Sequence, residues 1–281
     1  MTAHTYRGHY ARKRFGQHFL HDPCIIESII HAIQPKYGEV MIEIGPGLGA
    51  LTEKIGRVLD KLTVIEIDHD LTLRLKYHSF LQTKLTVFEQ DALEFDFSQF
   101  AKQQTQLLRV FGNLPYNIST PLIFHLFKHI NIIHDMHFML QEEVVNRLVA
   151  KPGNKSYGRL SVMAQYYCKI FPILTVPSQS FVPPPNVISK IVRLIPITHV
   201  QTLPHHVYFL SLVTTAAFNK RRKTLRNSLS HLIPTQALVN MHICPTLRAE
   251  NISVMQYCQL ADWLGNHLKN KKANVVSIKY N

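Results

Sequence analysis

An alternation of short apolar runs with helical stretches constrains this chain more than any other feature. Val40–Ile44, Leu62–Ile67, Leu85–Glu89, Leu107–Phe111 and Met136–Leu140 read as strands, with helical patterns over Leu51–Val58, Asp70–Tyr77 and Pro121–His129 between them. A strand that returns parallel to its predecessor needs a long crossover, usually a helix. The alternation therefore predicts an α/β architecture, a mainly parallel sheet flanked by helices. Such a sheet binds ligands outside the carboxyl ends of its strands, so chemistry is expected immediately after each strand.

Beyond Leu140 the pattern changes. Gln141–Ala150 reads as a helix and Lys151–Gly158 as a loop, and a proline-punctuated stretch ends in a strand over Ile188–Ile195. His205–Phe218, Arg222–His231 and Ser253–Lys269 read as amphipathic helices. A boundary near Val200 divides residues 1–200, an α/β catalytic domain, from residues 201–281, a small all-α domain.

The first strand runs into Glu43-Ile-Gly45-Pro-Gly47-Leu-Gly49. Glycines there permit a tight turn and a close backbone approach to a ligand, but the spacing is not the GxGxxG of a dinucleotide site. Glu66 ends the second strand, where an acid holds ribose hydroxyls, and Asp91 follows the third. Three carboxylates, Glu43, Glu66 and Asp91, would oppose a pyrophosphate, which needs a positive environment. They suit a ligand without phosphate and with a positive centre. S-adenosylmethionine meets that description: Glu66 would take its ribose diol and Asp91 its adenine amino group.

The fourth strand leads into Asn113-Leu114-Pro115-Tyr116. The amino lone pair of adenine is delocalised into the ring. Acceptors set against the amino hydrogens draw that nitrogen toward a tetrahedral geometry and aim its lone pair. The Asn113 side-chain oxygen and the Leu114 carbonyl are two such acceptors. Pro115 biases Leu114 toward extended backbone, and Tyr116 offers a ring for a flipped base. Phe181, stiffened by Pro183–Pro185, is a candidate to close the base's other face.

These residues add up to a resemblance. ARKRFGQHFL (11–20), EIGPGLG (43–49), VIEID (64–68), QDA (90–92), FGNLPYNIST (111–120), QEEVVNRLVA (141–150), YGRLSVMAQYY (157–167), FVPPPNV (181–187), AFNKRRKTLRNSL (217–229) and RAENIS (248–253) are similar to the bacterial small-subunit ribosomal RNA adenine dimethyltransferases, over roughly residues 8–265. The resemblance implies a Rossmann-like S-adenosylmethionine-dependent methyltransferase domain with a small helical domain. It maps the cofactor positions onto His18, Leu20, Gly45, Glu66, Asp91 and Asn113, beside which the turn contributes Glu43 and Gly47. His18 stands where many members carry Asn, and both side chains hydrogen-bond. The implied substrate is a pair of adjacent adenines in the 3′-terminal hairpin of 16S rRNA, each methylated twice, within the small (30S) subunit or its precursor.

Charge agrees with such a partner. The chain carries a formal net charge of +13, and residues 200–281 hold ten Lys and Arg against two Asp and Glu. Lys220, Arg221, Arg222, Lys223 and Arg226 crowd one segment, expected on a helix that grips RNA phosphates. Arg12, Lys13 and Arg14 are a second candidate contact. Cys24, Cys168, Cys244 and Cys258 form no CxxC pair, so neither a metal site nor a disulfide framework is expected. No apolar run approaches the length of a membrane span, and the N-terminus lacks the apolar core of a signal peptide. The expectation is a cytoplasmic monomer. Two alternatives stay open: an erythromycin-resistance type methyltransferase of large-subunit RNA, and an RNA-binding assembly factor without catalysis.

Overall fold

The structure, a computed structural model, describes residues 5–197, 204–220 and 222–277; Val200 and Arg221 lie outside them. Seven strands form one sheet: β1 (Met41–Ile44), β2 (Leu62–Glu66), β3 (Leu85–Glu89), β4 (Leu108–Asn113), β5 (Ile133–Gln141), β6 (Cys168–Val176) and β7 (Ser189–Pro196). Their spatial order is β3-β2-β1-β4-β5-β7-β6. Strands β1 to β5 pair in parallel, and β7 runs antiparallel to β5 with Ile191 opposite Met139. Every residue of β1 and β2 is buried. Strands covered on both faces do not alternate polar and apolar side chains, which is why these segments read as mostly apolar, with Glu43, Thr63 and Glu66 as the polar exceptions.

From β1 the chain steps outward through β2 and β3, then returns to lay β4 on the other side of β1. The order reverses between β1 and β4, and this switch point is where such sheets open a crevice at their carboxyl ends. The crossover helices bury one stripe each: Ile55 on α2 (Thr52–Val58) and Leu71 and Leu75 on α3 (His69–Lys76). Helix α1 (Pro23–Ile33) precedes β1. It starts where Asp22 accepts the Cys24 and Ile25 amides, with Pro23 in the first turn, and it buries Ile26, Ile29 and Ile33.

At the opposite end of the sheet an ion network ties β4 to β5. Arg109 donates to both carboxylate oxygens of fully buried Asp135, at 2.8 and 3.1 Å, and to Glu39 at 2.7 Å; Arg193 reaches Asp135 at 2.9 Å. Burial alone would raise the Asp135 carboxyl, but the Arg109 hydrogen bonds and its neighbouring positive charges leave it lowered.

Strand β6 has no counterpart among the expected strands. It is an edge strand in which only Cys168 and Val176 are buried, and it carries Pro172 in its interior. An edge strand tolerates proline, because no neighbour needs its missing N–H. Exposed flanks and a proline remove both signals that sequence periodicity relies on.

Two compact units interleave in the chain, in place of the single cut expected near Val200. One comprises the residues up to Val145 together with Lys169–Pro196 and holds the sheet; the other comprises Asn146–Cys168 and the residues after Pro196. The second unit contains α4 (Arg159–Tyr167), α5 (Pro204–Phe218), α6 (Leu225–Ser228), α7 (Thr235–Asn240) and α8 (Val254–Ser277). Leu210, Val213, Ala217, Leu225, Leu260 and Leu264 are buried in it, and the Tyr257 hydroxyl donates to the Ala249 carbonyl at 2.8 Å.

The helix expected over Arg222–His231 shrinks to α6, with four residues. Thr224 is extended and bridges Arg248, while the Leu225 and Arg226 amides donate to Leu247 and Pro245. Lys220, Arg222 and Lys223 therefore sit in the connection between α5 and α6, and crowded like charges would in any case disfavour a helix there.

Candidate active site

The carboxyl ends of β1, β2 and β4 and the turn after β3 open onto one cavity of about 320 Å³. Glu43, Gly45, Gly47, Glu66, Asp91, Asn113, Leu114, Pro115 and Tyr116 all line it, as do His18 and Leu20. The geometry thus brings together residues expected from five separate motifs. Among the described residues no cluster of His, Cys, Asp and Glu is arranged to hold a metal ion.

The glycine turn is built for close approach. Gly45 and Gly47 adopt φ of +66° and +57°, in the left-handed region where a side chain is strained. A Cβ on Gly47 would also press on the Phe19 ring at 3.3 Å. The Gly47 amide donates to Glu66 Oε2 at 3.1 Å, and the Asp68 amide donates to Oε1 at 3.0 Å. Both oxygens of Glu66 are thereby oriented, and each keeps acceptor capacity. Burial raises the Glu66 carboxyl to about 6 against the pull of those amides.

Glu43 is more extreme. It is buried at the end of β1 and accepts the Thr52 hydroxyl at 2.7 Å. Burial, opposed by that hydrogen bond and reinforced by the charge of Glu66, raises it to about 8. No Lys or Arg pairs with it among the described residues. A buried carboxylate without a cation is costly, and a ligand that brings positive charge to this wall would relieve that cost. On this observation the cavity fits S-adenosylmethionine. Asp91 is half-buried at the same wall, and its Oδ1 accepts the Leu93 amide at 2.9 Å.

The Asn113–Tyr116 corner is fixed from several directions. The hydrogen-bond network assigns Asn113 Nδ2 as donor to the His18 carbonyl at 2.9 Å, which turns Oδ1 the other way as an acceptor. The Leu114 amide donates to the Met139 carbonyl at 3.3 Å. Tyr116 bonds Ser189 through its hydroxyl at 2.8 Å, and its ring stacks on His18 with centroids 5.5 Å apart. His18 Nδ1 lies 2.7 Å from the Pro183 carbonyl, to which it donates.

Two expected residues sit elsewhere. Phe181 is 2% exposed and does not line the cavity; it packs in the core with Leu20, Ile26, Met139 and Ile191. Its backbone pairs with Leu20 in a two-residue antiparallel ladder. That ladder sends the ring into the core, so in this conformation it closes no base. Arg12 is likewise committed, to Asp68 at 2.9 Å and to Asp70. It ties down the N-terminal segment and offers RNA little. Lys13 and Arg14 are exposed, and Arg14 lines the cavity. In the helical unit, Lys220, Arg222, Lys223 and Arg226 are exposed.

Sequence reasoning missed the anchor of the N-terminal segment. Gln17 donates to fully buried Asp68 at 2.7 Å and accepts the Arg12 amide at 2.8 Å. Gln17 and Asp68 both lie inside motifs singled out above, but their pairing joins positions far apart in the chain. Ser189, which holds Tyr116, carried no signal beyond the start of a strand.

Comparison with known proteins gives a consistent result. The model of a family described as ribosomal RNA adenine dimethylase matches residues 8–266. A protein named ribosomal RNA small subunit methyltransferase A from Erwinia tasmaniensis is 60% identical over 267 residues, covering 95% of this chain and 98% of that one. Its namesake from an Escherichia coli O139:H28 strain is 59% identical over 270 residues, with the same coverage of both chains. Among solved structures, a dimethyladenosine transferase from Plasmodium falciparum superposes with a TM-score of 0.73 at 27% identity, over 86% of this chain and 96% of that one. The 23S rRNA methyltransferase ErmE superposes with a TM-score of 0.67 at 20% identity, over 88% of this chain and 99% of that one, which speaks for the fold.

Proposed function

The chain belongs to the ribosomal RNA adenine dimethylase family, and from that premise we propose how its cavity performs the reaction. The enzyme is an S-adenosylmethionine-dependent methyltransferase that dimethylates the N6 amino group of two adjacent adenines near the 3′ end of the small-subunit rRNA. Glu66 holds the ribose diol of the cofactor, Asp91 its adenine amino group, and Glu43 and the Gly45–Gly47 turn the region that carries its positive charge. His18 and Leu20 close this wall. When bound, S-adenosylmethionine supplies an electrophilic methyl group.

The protein's own contribution is orientation. Asn113 Oδ1 and the Leu114 carbonyl accept the amino hydrogens of the target adenine and point its lone pair into the cavity. Pro115 holds the corner, and Tyr116, backed on one face by His18, offers the other face to the base. Stacking of a base on an aromatic ring is worth roughly 1–3 kcal/mol. Fixing both reactants removes much of the entropic part of the barrier, an effect that needs no strong base. Each transfer releases one amino proton to solvent; after the first, one amino hydrogen remains, so the second transfer depends on whichever acceptor still meets it.

Lys220, Arg221, Arg222, Lys223 and Arg226, with Lys13 and Arg14, supply the phosphate contacts. We take the substrate as the 30S subunit or its precursor, and the enzyme as a cytoplasmic monomer; no helix among the described residues is long and apolar enough to cross a membrane. The observation that carries the proposal is the shared cavity of Asn113, Glu66 and Asp91. Mass analysis of nucleosides from unmodified small subunits treated with enzyme and cofactor tests it. N6,N6-dimethyladenosine is expected, and its absence from subunits that bind the enzyme normally would defeat the reading. Product in 23S rRNA instead would favour the erythromycin-resistance alternative.

A further inference from the structure

We propose that Phe15 and Arg14 form a stacking shelf for the nucleobase next to the adenine being methylated; this rests on reading the cavity as the methylation site. Lys13–Phe15 is a single 3-10 turn closed by Gly16, whose amide donates to the Lys13 carbonyl at 3.0 Å. Gly16 adopts φ +61°, and a Cβ there would lie 3.3 Å from Asn117 Oδ1 and 3.7 Å from the Pro115 side chain. The turn is therefore lodged directly against the corner that presents Asn113 and Tyr116.

Both Arg14 and Phe15 line the same cavity as that corner. The Arg14 guanidinium lies 4.5 Å from the Phe15 ring centroid, a cation–π stack. No acid pairs with Arg14 among the described residues, whereas Arg12 is held by two. Four aromatic rings line the cavity: Phe15, His18, Phe19 and Tyr116. Phe19 is 5% exposed and packs edge-on against His9, while His18 and Tyr116 stack on each other. Phe15 is the ring left for a second base, and it is only half-buried.

The reaction creates a need for such a surface. Flipping one adenine out of a single strand strips its neighbour of a stacking partner, and single-stranded RNA is read on aromatic rings and Arg planes. The shelf is preorganised, because Gln17 and Arg12 pin the turn's flanks to Asp68. With adjacent adenines as substrates, the shelf would hold the partner base while the first reacts.

The test compares wild type, Phe15→Leu and Phe15→Tyr on unmodified small subunits, reading KM for subunits, kcat, cofactor Kd and Tm. Phe15→Leu keeps apolar bulk and loses the ring. Its KM is expected to rise about 5- to 150-fold, the equivalent of one lost base stack, with cofactor Kd and Tm unchanged and Phe15→Tyr restoring KM. An unchanged KM, or weakened cofactor binding without a KM effect, would overturn the shelf. If Phe15→Leu does not fold, wild type is titrated with a hairpin RNA whose neighbouring adenine is an abasic nucleotide. Weaker binding than to the intact hairpin supports the shelf, and equal binding overturns it. Wild type that yields no dimethyladenosine would remove the underlying reading instead, which separates the two failures.

Discussion

Gly112→Ala tests whether the closeness of β1 and β4 positions the chemistry. Gly112 immediately precedes Asn113 on β4, and its φ is not in the left-handed region, so backbone strain is not at issue. Space is: a Cβ built there would lie 2.2 Å from the Ile44 carbonyl oxygen, where about 3.0 Å is the practical limit. The obstacle is backbone, so no rotamer change relieves it. The strands must part by roughly 0.8 Å or more, straining the ladder between the two motif-bearing strands. Overpacking of this kind costs about 1–3 kcal/mol, occasionally more. A loss near the top of that range lowers Tm by roughly 5–10 °C in a protein of this size. The activity cost is separate. Asn113 would move relative to the Gly45 turn by nearly an ångström, and displacements of about 1 Å cost on the order of 100-fold in rate. Thermal denaturation and single-turnover methyl transfer read the two effects. Wild-type Tm and rate in Gly112→Ala would refute the claim that this contact sets the geometry of the site.

Three further outcomes are expected. Burial raises Glu43 to about 8 from an ordinary value of 4.5, so the folded chain keeps a proton that the unfolded chain has lost. Its contribution to stability is present below pH 4.5 and is lost as pH rises through about 8, while affinity for a cationic ligand rises as Glu43 ionises; Glu43→Gln should flatten both profiles, and parallel profiles by calorimetry and thermal melts would contradict the assignment. Glu66→Ala removes the acceptor held by the Gly47 and Asp68 amides and should weaken cofactor binding about tenfold or more by calorimetry, so an unchanged Kd would remove its ribose role. Replacing Arg222 and Lys223 by Gln should weaken subunit binding and flatten its dependence on salt by about two ions, and an unaltered slope would show that these exposed cations face no phosphate.

Much of the sheet was readable because β1 and β2 are buried on both faces and spell their burial in apolar runs. The site was readable because the chemistry follows strand ends: Glu66 closes β2, and Asn113 closes β4. What escaped depended on tertiary context. The edge strand Cys168–Val176 carries an interior proline and mostly exposed side chains. Phe181 looked like a free ring on a proline-stiffened loop, but its pairing with Leu20 turns it into the core, and no local pattern encodes that pairing. Arg12 looked like one of three equivalent cations until Asp68, fifty-six residues on, claimed it. The basic run resembled a helix by composition, while Thr224 breaks it to bridge Arg248.

The most direct test is Asn113→Ala assayed on unmodified small subunits, with dimethyladenosine quantified per subunit beside cofactor and subunit affinities. The account expects turnover to fall by about two orders of magnitude or more, the size of effect known for losing one hydrogen-bonding group that acts on the reacting atoms, while subunit affinity stays near wild type and cofactor affinity falls far less than turnover. Dimethylation at the wild-type rate in that variant would contradict it, because the amino nitrogen would then need no oxygen acceptor from this side chain.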